Sequence, residues 1–332
     1  MDSKRHGNSL IQTIIMGTTP DNKNTSKQRL DCLICNYHIE ADESTFATFP
    51  CHVRAFWGEK FKVWRCPNCL TIHSLDVVDL DHYYAKYPPT QAALTWPYRI
   101  LYGKLCRQLT KHGFSKSHLM LDYGCGVQGL FLQYLRQQGF ANCYGYDPYA
   151  PEDGFGNPKT LQQGLFDYIL LQDVIEHVED PHALLSQLDS LLSPGGYILI
   201  GTPNAANIKL NQSDSDYYNN EIHAPYHLHI YTRESLELLK SCQGWEFLDF
   251  FDRSYSDTHW FGLNTRAWTE YQRLFDNSVD VLYEPIKLWK ALTSYAFIFY
   301  AIFGYGLSFR TYMSVMFRKS ISPTDTNLHQ NS

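Results

Sequence analysis

The chain has no surplus of positive charge. Its 332 residues carry 28 lysines and arginines against 34 aspartates and glutamates, a formal net charge of -6. That balance argues against bulk binding to nucleic acid, which needs phosphate neutralisation, although local patches stay open. No cleavable leader is expected either. Lys4 and Arg5 precede a short apolar piece, Leu10 to Met16, that contains Gln12 and Thr13 and lacks a small-residue cleavage site. A disulfide framework is disfavoured because the 9 cysteines are odd in number and four of them sit in two Cys-x-x-Cys pairs. These absences predict a cytoplasmic protein with reduced, metal-bound thiolates. The apolar fraction, 44%, is ample for a core, and the length suits one large domain with a smaller one.

The order along the chain predicts a mobile polar tail over 1–28, rich in Asn, Thr, Ser and Lys. A small domain follows over 29–80. Its Cys32-x-x-Cys35 and Cys66-x-x-Cys69 pairs match a tetrathiolate site on two tight knuckles, with Zn²⁺ the metal such donors favour. Pro67 and Asn68 suit the second turn. Phe56, Trp57, Phe61, Val63 and Trp64 supply strand residues between the pairs, and Cys51, His52 and His73 are spare donors nearby. Four protein ligands leave no open position, so the metal is read as structural, a zinc ribbon rather than a redox pair. Residues 81–118 form a linker and an N-terminal helix, about Tyr98 to Lys111, with Leu101, Leu105 and Leu109 on one face. Tyr83, Tyr84 and Tyr87 in the linker read as the packed side chains of a connector, a role that competes with the ligand closure implied by the family resemblance given below.

The most informative stretch runs from Leu119 to Asp147. An apolar strand, Leu119 to Leu121, ends in the acid Asp122. A glycine turn follows at Gly124, Gly126 and Gly129, then a helix with Leu130, Phe131, Tyr134 and Leu135 on one face, closed by Gly139. A second strand, Cys143 to Tyr146, ends in Asp147. Strand, glycine loop, helix, strand and acid make half of a nucleotide-binding fold. The glycines also fit the dinucleotide fingerprint, which keeps an NAD-dependent oxidoreductase as an alternative. Asp122 decides against it. A carboxylate before the first glycine repels a pyrophosphate and attracts a cationic sulfonium compound.

Asp122-x-Gly124-x-Gly126 resembles the first motif of the class I S-adenosylmethionine-dependent methyltransferases. The likeness continues through FDYILLQDVIEHVEDP and LLSPGGYILIGTPN, covering Leu119 to Asn204. It implies an α/β fold over 119–332, a Rossmann-like seven-stranded sheet with helices on both faces. By the same resemblance, Asp122, Gly124, Cys125 and Gly126 approach the methionine end of S-adenosylmethionine, Asp147 accepts both ribose hydroxyls, and Gln172 and Asp173 border the transferred methyl. The segment between Asp147 and Asp167 departs from the family. It holds Pro148, Pro151, Gly154, Gly156 and Pro158 where a helix and a third strand are usual, so that strand shrinks to a stub near Thr160 and Leu161.

Asp180 followed by Pro181 is a sharp helix start. Leu184, Leu185, Leu188, Leu191 and Leu192 then form a core face, Ser193 to Gly196 breaks the helix, and Tyr197 to Ile200 is a strand. His177, at the end of the preceding strand, is a candidate general base. His223, His227 and His229 lie in the loop HAPYHLHIYT, where similar methyltransferases keep substrate-site residues. Their spacing is not that of a helical His-Glu-x-x-His pair, so proton removal or substrate contact ranks above metal binding. The resemblance implies methylation of a hydroxyl or carbon on a small-molecule or lipid-like acceptor. After the fourth strand there is no Asn/Asp-Pro-Pro-aromatic segment, which argues against adenine N-methylation. An RNA methyltransferase using the ribbon as a grip is the alternative within the class.

Trp245 to Phe251 and Thr311 to Phe317 read as the last two strands, with a helical insertion, 253–310, between them. Ala291 to Phe309 in that insertion carries no charge, and Lys287, Lys290, Arg310, Arg318 and Lys319 flank it. A full crossing would leave the last strands on opposite sides of a bilayer. The segment 285–309 is therefore either a peripheral membrane contact or an apolar cap.

Overall fold

A computed structural model describes residues 28–88, 93–211, 221–240 and 243–321. The expected tail lies outside the described residues apart from Gln28, which bridges to Asp76.

Among the described residues ten strands form two sheets. In chain order they are β1 (Phe46–Pro50), β2 (Lys60–Arg65), β3 (Ile72–Ser74), β4 (Met120–Tyr123), β5 (Cys143–Tyr146), β6 (Phe166–Gln172), β7 (Leu192–Pro203), β8 (His229–Ile230), β9 (Glu246–Phe251) and β10 (Tyr312–Arg318). The helices are α1 (Leu80–Tyr84), α2 (Trp96–Thr110), α3 (Leu130–Gln137), α4 (Pro181–Leu191), α5 (Arg233–Lys240), α6 (Thr265–Arg273), α7 (Leu288–Ala291) and α8 (Tyr295–Phe303).

The larger sheet has the order β5-β4-β6-β7-β10-β9. Its first four strands are parallel, and β10 runs antiparallel to both neighbours. Strands buried on both faces should read as continuous apolar runs, and β6 does so, with Tyr168, Ile169, Leu170 and Leu171 all buried. Alternate residues then serve opposite faces. Leu121, Ile169, Ile198 and Val315 pack with Leu184, Leu185 and Leu188 of α4 and Leu236 of α5. Met120, Leu170, Leu199 and Met316 pack with Leu105 and Leu109 of α2 and Phe131 and Leu135 of α3. The result is a three-layer sandwich with helices on both faces. Asp180 starts α4 as expected, its carboxylate accepting from Ala183 N at 2.9 Å.

The sheet holds six strands among the described residues, not seven. The expected third strand is replaced by a 3-10 turn, Pro158–Gln162, capped by Asn157. The proline- and glycine-rich chain before it folds too tightly for a strand. At Gly156 an added Cβ would collide with the Ala150 carbonyl. Ser193 to Gly196 lies within β7, since α4 stops at Leu191 and the strand begins at once.

The smaller sheet has the order β1-β2-β3-β8. Its last strand comes from the long loop after β7, so the cysteine-bearing segment is joined edge-on to the rest of the chain. Trp64, Leu75 and Cys32 bury into the same core as β4 and β6. The insertion builds its own small core from Ala267, Tyr271, Val281, Ala291, Phe297 and Ala301. Arg54 ties it to the small sheet through Asp276 and Glu284 at 2.7 Å. The uncharged run is broken between α7 and α8, and no helix among the described residues is long and apolar enough to cross a membrane.

Candidate active site

The C-terminal ends of β4, β5 and β6 converge on one cleft of about 500 Å³, the position where open α/β sheets bind ligands. Gly124 follows β4 with φ +80°, and an added Cβ would collide with Val174 Cγ2, so only glycine fits this turn. Asp147, after β5, holds the turn from below. Its Oδ2 accepts from Gly126 N and its Oδ1 from Tyr149 N, both at 2.9 Å. Asp122 is buried beneath the turn, and desolvation, with Asp147 nearby, pushes its carboxyl up to about 7. Cys125 packs over β5, where a Cβ on Gly145 would approach its Sγ to 2.7 Å. Burial pushes that thiol up.

Asp173 stands at the end of β6 in the left-handed region, φ +55°, a conformation that costs a non-glycine residue about 1–2 kcal/mol. Its carboxylate accepts from the Tyr312 hydroxyl. Burial raises its pKa, opposed by the hydrogen bonds from Tyr312 and Gln172. Glu176 follows in a short 3-10 turn. Its Oε2 accepts from Thr202 Oγ1 at 3.0 Å, while Oε1 is buried with no partner. Desolvation, then Asp173, hold its carboxyl well above the usual range. None of the ion pairs among the described residues involves Asp122, Asp147, Asp173 or Glu176.

Across the cleft stand His177, His223 and His227. Nδ1 of His177 lies 3.0 Å from the Tyr226 carbonyl and from the Tyr84 hydroxyl. Nδ1 of His227 lies 2.7 Å from the Glu221 carbonyl. A carbonyl only accepts, so both Nδ1 atoms carry the proton and both Nε2 atoms hold a lone pair. His223 Nε2 is 3.1 Å from the Tyr87 hydroxyl, and its ring stacks on Tyr226. Burial lowers His177 to about 4 and His223 to about 3, and drives His227 well below its ordinary value. All three rings are neutral near pH 7. Tyr84, Tyr87 and Tyr283 of the insertion roof the cleft.

Residues 98–249, which include the turn, both acid-bearing strand ends and the three histidines, match a family described as "Methyltransferase domain". That stretch is thus similar to methyltransferase domains, in line with the resemblance carried by its glycine turn. The match supports the methyltransferase reading of the glycine turn over the oxidoreductase alternative. A ubiquinone biosynthesis O-methyltransferase of Caulobacter vibrioides is 35% identical over 103 residues, 26% of this chain and 40% of that protein. One from Pectobacterium carotovorum subsp. carotovorum is 26% identical over 184 residues, 49% of this chain and 73% of that protein. The chain thus spans 40% of the length of the first of these curated relatives. Among solved structures, coclaurine N-methyltransferase bound to N-methylheliamine and SAH superimposes with a TM-score of 0.37 and 12% identity, covering 66% of this chain and 72% of that one. That fit is too loose to carry residue roles.

Three sequence-predicted positions lie elsewhere. His229 faces away from the cleft. The pairing of β8 with β3 sets it opposite His73, with the two Nδ1 atoms 2.9 Å apart, and His73 Nε2 is 3.2 Å from Cys32 Sγ. Gln172 turns back over Gly201 toward the Tyr312 hydroxyl, so it supports Asp173 rather than lining the cleft. Tyr83 packs against Phe56 and Phe61 and donates to Glu59 at 2.7 Å. Glu176, Tyr149, Tyr283 and Tyr312 escaped sequence reasoning as site residues. Only Glu176 carried a signal, as the acid beside His177 at a strand end.

The four cysteines of the small sheet do converge. Cys32 Sγ lies 3.4 Å from Cys69 Sγ and Cys35 Sγ 3.5 Å from Cys66 Sγ, with all four within 4.8 Å of one another. A tetrahedral Zn²⁺ with bonds near 2.3 Å needs sulfurs about 3.8 Å apart. The donors therefore fit a tetrathiolate ion and are too far apart for disulfides.

Proposed function

We propose that this chain transfers a methyl group from S-adenosylmethionine to a hydroxyl, or to an acidified carbon, of a small-molecule or lipid-like acceptor. The observation that carries the reading is a group of carboxylates without basic partners on one side of the cleft, Asp122 and Glu176 buried and Asp147 and Asp173 more open, and neutral imidazoles on the other. Four carboxylates without a lysine or arginine partner leave a field that a cationic ligand satisfies. S-adenosylmethionine, when bound, supplies an electrophilic methyl on a sulfonium. Asp122, Gly124, Cys125 and Gly126 would border its methionine end, Asp147 its ribose hydroxyls, and Asp173 the methyl. The acceptor then enters from the side of His177, His223 and His227. Each ring is neutral and able to receive the proton that the acceptor oxygen loses as its bond to carbon forms. The relatives' printed name, an O-methyltransferase, supports a hydroxyl over a carbon.

The cysteine cluster is assigned to a structural Zn²⁺. Nucleic acid is disfavoured as an acceptor, because phosphates would meet the acids of the cleft. The insertion supplies a surface suited to lipid. Trp289 and Tyr295 are 71% and 91% exposed, and Phe299, Ile302 and Phe303 continue the apolar face. Lys287 and Lys290 stand at its rim. Arg318 and Lys319 do not, since they face Gly195 and Asp189 at the far end of β10. We assign this face to shallow contact with an anionic bilayer.

Titration calorimetry with S-adenosylmethionine, followed by a screen of hydroxylated acceptors with the labelled cofactor, tests the whole reading. Micromolar binding and label transfer to a hydroxyl are expected. No heat of binding at millimolar cofactor would end it.

A further inference from the structure

We propose that Glu176, His177 and His227 form a divalent metal site in the acceptor half of the cleft, separate from the cysteine cluster. A carboxylate oxygen and one ring nitrogen from each histidine lie within 4.8 Å of one another, close enough for one ion to reach all three with small side-chain adjustments. Each donor is already aimed. The carbonyls of Tyr226 and Glu221 fix the Nδ1 proton on both histidines, which leaves Nε2 as the coordinating atom. This backbone anchoring is what metal-bound imidazoles commonly have behind them. Thr202 holds one oxygen of Glu176 at 3.0 Å. The other is buried and unpartnered, a state that costs roughly 1–3 kcal/mol unless something binds there. No lysine or arginine occupies the place of a cation among the described ion pairs.

Two imidazoles and a carboxylate suit Zn²⁺, Mn²⁺, Fe²⁺ or Co²⁺ rather than Ca²⁺ or Mg²⁺. Three protein ligands leave coordination positions open, unlike the closed cysteine set. Those positions face the cleft, where Asp173 and Gly124 mark the cofactor side. The inference rests on the methyl-transfer reading and narrows it. The acceptor class becomes a hydroxyl compound that binds the ion through that oxygen, alone or with a neighbouring one. A hydroxyl so bound gives up its proton more readily, and His223, outside the ligand set, remains to take it.

The test uses the full chain. One sample is reconstituted with excess Zn²⁺ and passed through gel filtration for elemental analysis. A second is titrated with Mn²⁺ and followed by electron paramagnetic resonance, since Mn²⁺ avoids thiolates and reports on nitrogen and oxygen donors. The wild type should retain two zinc ions per chain, or take up one bound Mn²⁺ beside the cysteine site. Glu176→Gln and His227→Ala should each lose the non-cysteine ion, weakening its binding at least tenfold. Thr202→Val, which leaves all three ligands in place, should weaken it by less. A wild type that holds only one zinc and binds no Mn²⁺ would overturn the inference whatever the variants do. So would retention of the second ion in both ligand variants. Cofactor titration on the same samples keeps the readings apart, because unchanged S-adenosylmethionine affinity with no second metal leaves methyl transfer standing and removes only this site.

Discussion

Replacing Asp147 by alanine should cost the cofactor most of its affinity while leaving a folded chain. In the free protein its carboxylate accepts from Gly126 N and Tyr149 N at 2.9 Å. Asp147 lines the cleft, and each oxygen keeps acceptor capacity for one ribose hydroxyl. A hydrogen bond to a charged group contributes about 1.5–3 kcal/mol. Two such bonds give roughly 3–6 kcal/mol, or about 10²- to 10⁴-fold in dissociation constant. Asp147→Asn keeps one acceptor and should fall about halfway on the free-energy scale. Titration calorimetry measures both. Loss of the turn contacts will also lower stability by about 1–2 kcal/mol, so the melting temperature is read alongside to show that the variant remains folded. Wild-type affinity in a folded Asp147→Ala protein would refute the ribose assignment, and with it the use of this strand end as the cofactor site.

Asp122 gives a pH prediction of definite sign. Its folded pKa, pushed up to about 7 from 3.8, means that folding favours the protonated carboxyl, so stability falls as pH rises from about 4 to about 7. Asp122→Asn should therefore melt higher than wild type at pH 8, by an amount corresponding to roughly 2–4 kcal/mol. The cationic cofactor favours the ionised form, so its wild-type affinity should rise with pH through about 7 and become flatter in Asp122→Asn; a pH-independent wild type would contradict this. Removal of zinc with a strong chelator, or Cys32→Ser, should lower the melting temperature by several degrees, and elemental analysis should show one fewer zinc per chain. Trp289→Glu and Phe303→Glu should reduce flotation with anionic vesicles without altering cofactor affinity, and equal flotation of wild type and variants would point to a cap or subunit contact instead.

The strand and helix order of the large sheet was legible because its signals are local. Apolar runs of strand length, Asp180-Pro181, and the glycine turn each depend on residues near one another in sequence. Asp122 was legible in the same way, since its place before the turn defines its neighbours. The pocket histidines were only partly so. His227 and His229 are neighbours but one in the chain, yet one lines the cleft and the other meets His73 across β8. That outcome is set by the pairing of a short strand with a residue 156 positions away, which no periodicity records. Glu176 was hidden for a related reason. Its importance comes from an unpartnered buried oxygen and from His227, which a distant loop delivers.

The same pairing links the two halves of the molecule. Cys32 touches His73, His73 touches His229, and His229 lies on the strand that leaves the His227 turn. Leu228, between the two histidines, donates from its backbone N to the Glu176 carbonyl at 2.7 Å. The small sheet therefore braces the wall that carries the acceptor-side donors, whereas Asp122 lies near the end of β4 and Asp147 follows β5, the edge strand beyond it. A structural ion among the cysteines would then act on the acceptor side first. The ribbon's position argues for scaffolding one half of the active site rather than for gripping a separate substrate, because the side of β3 away from β2 is already occupied by β8.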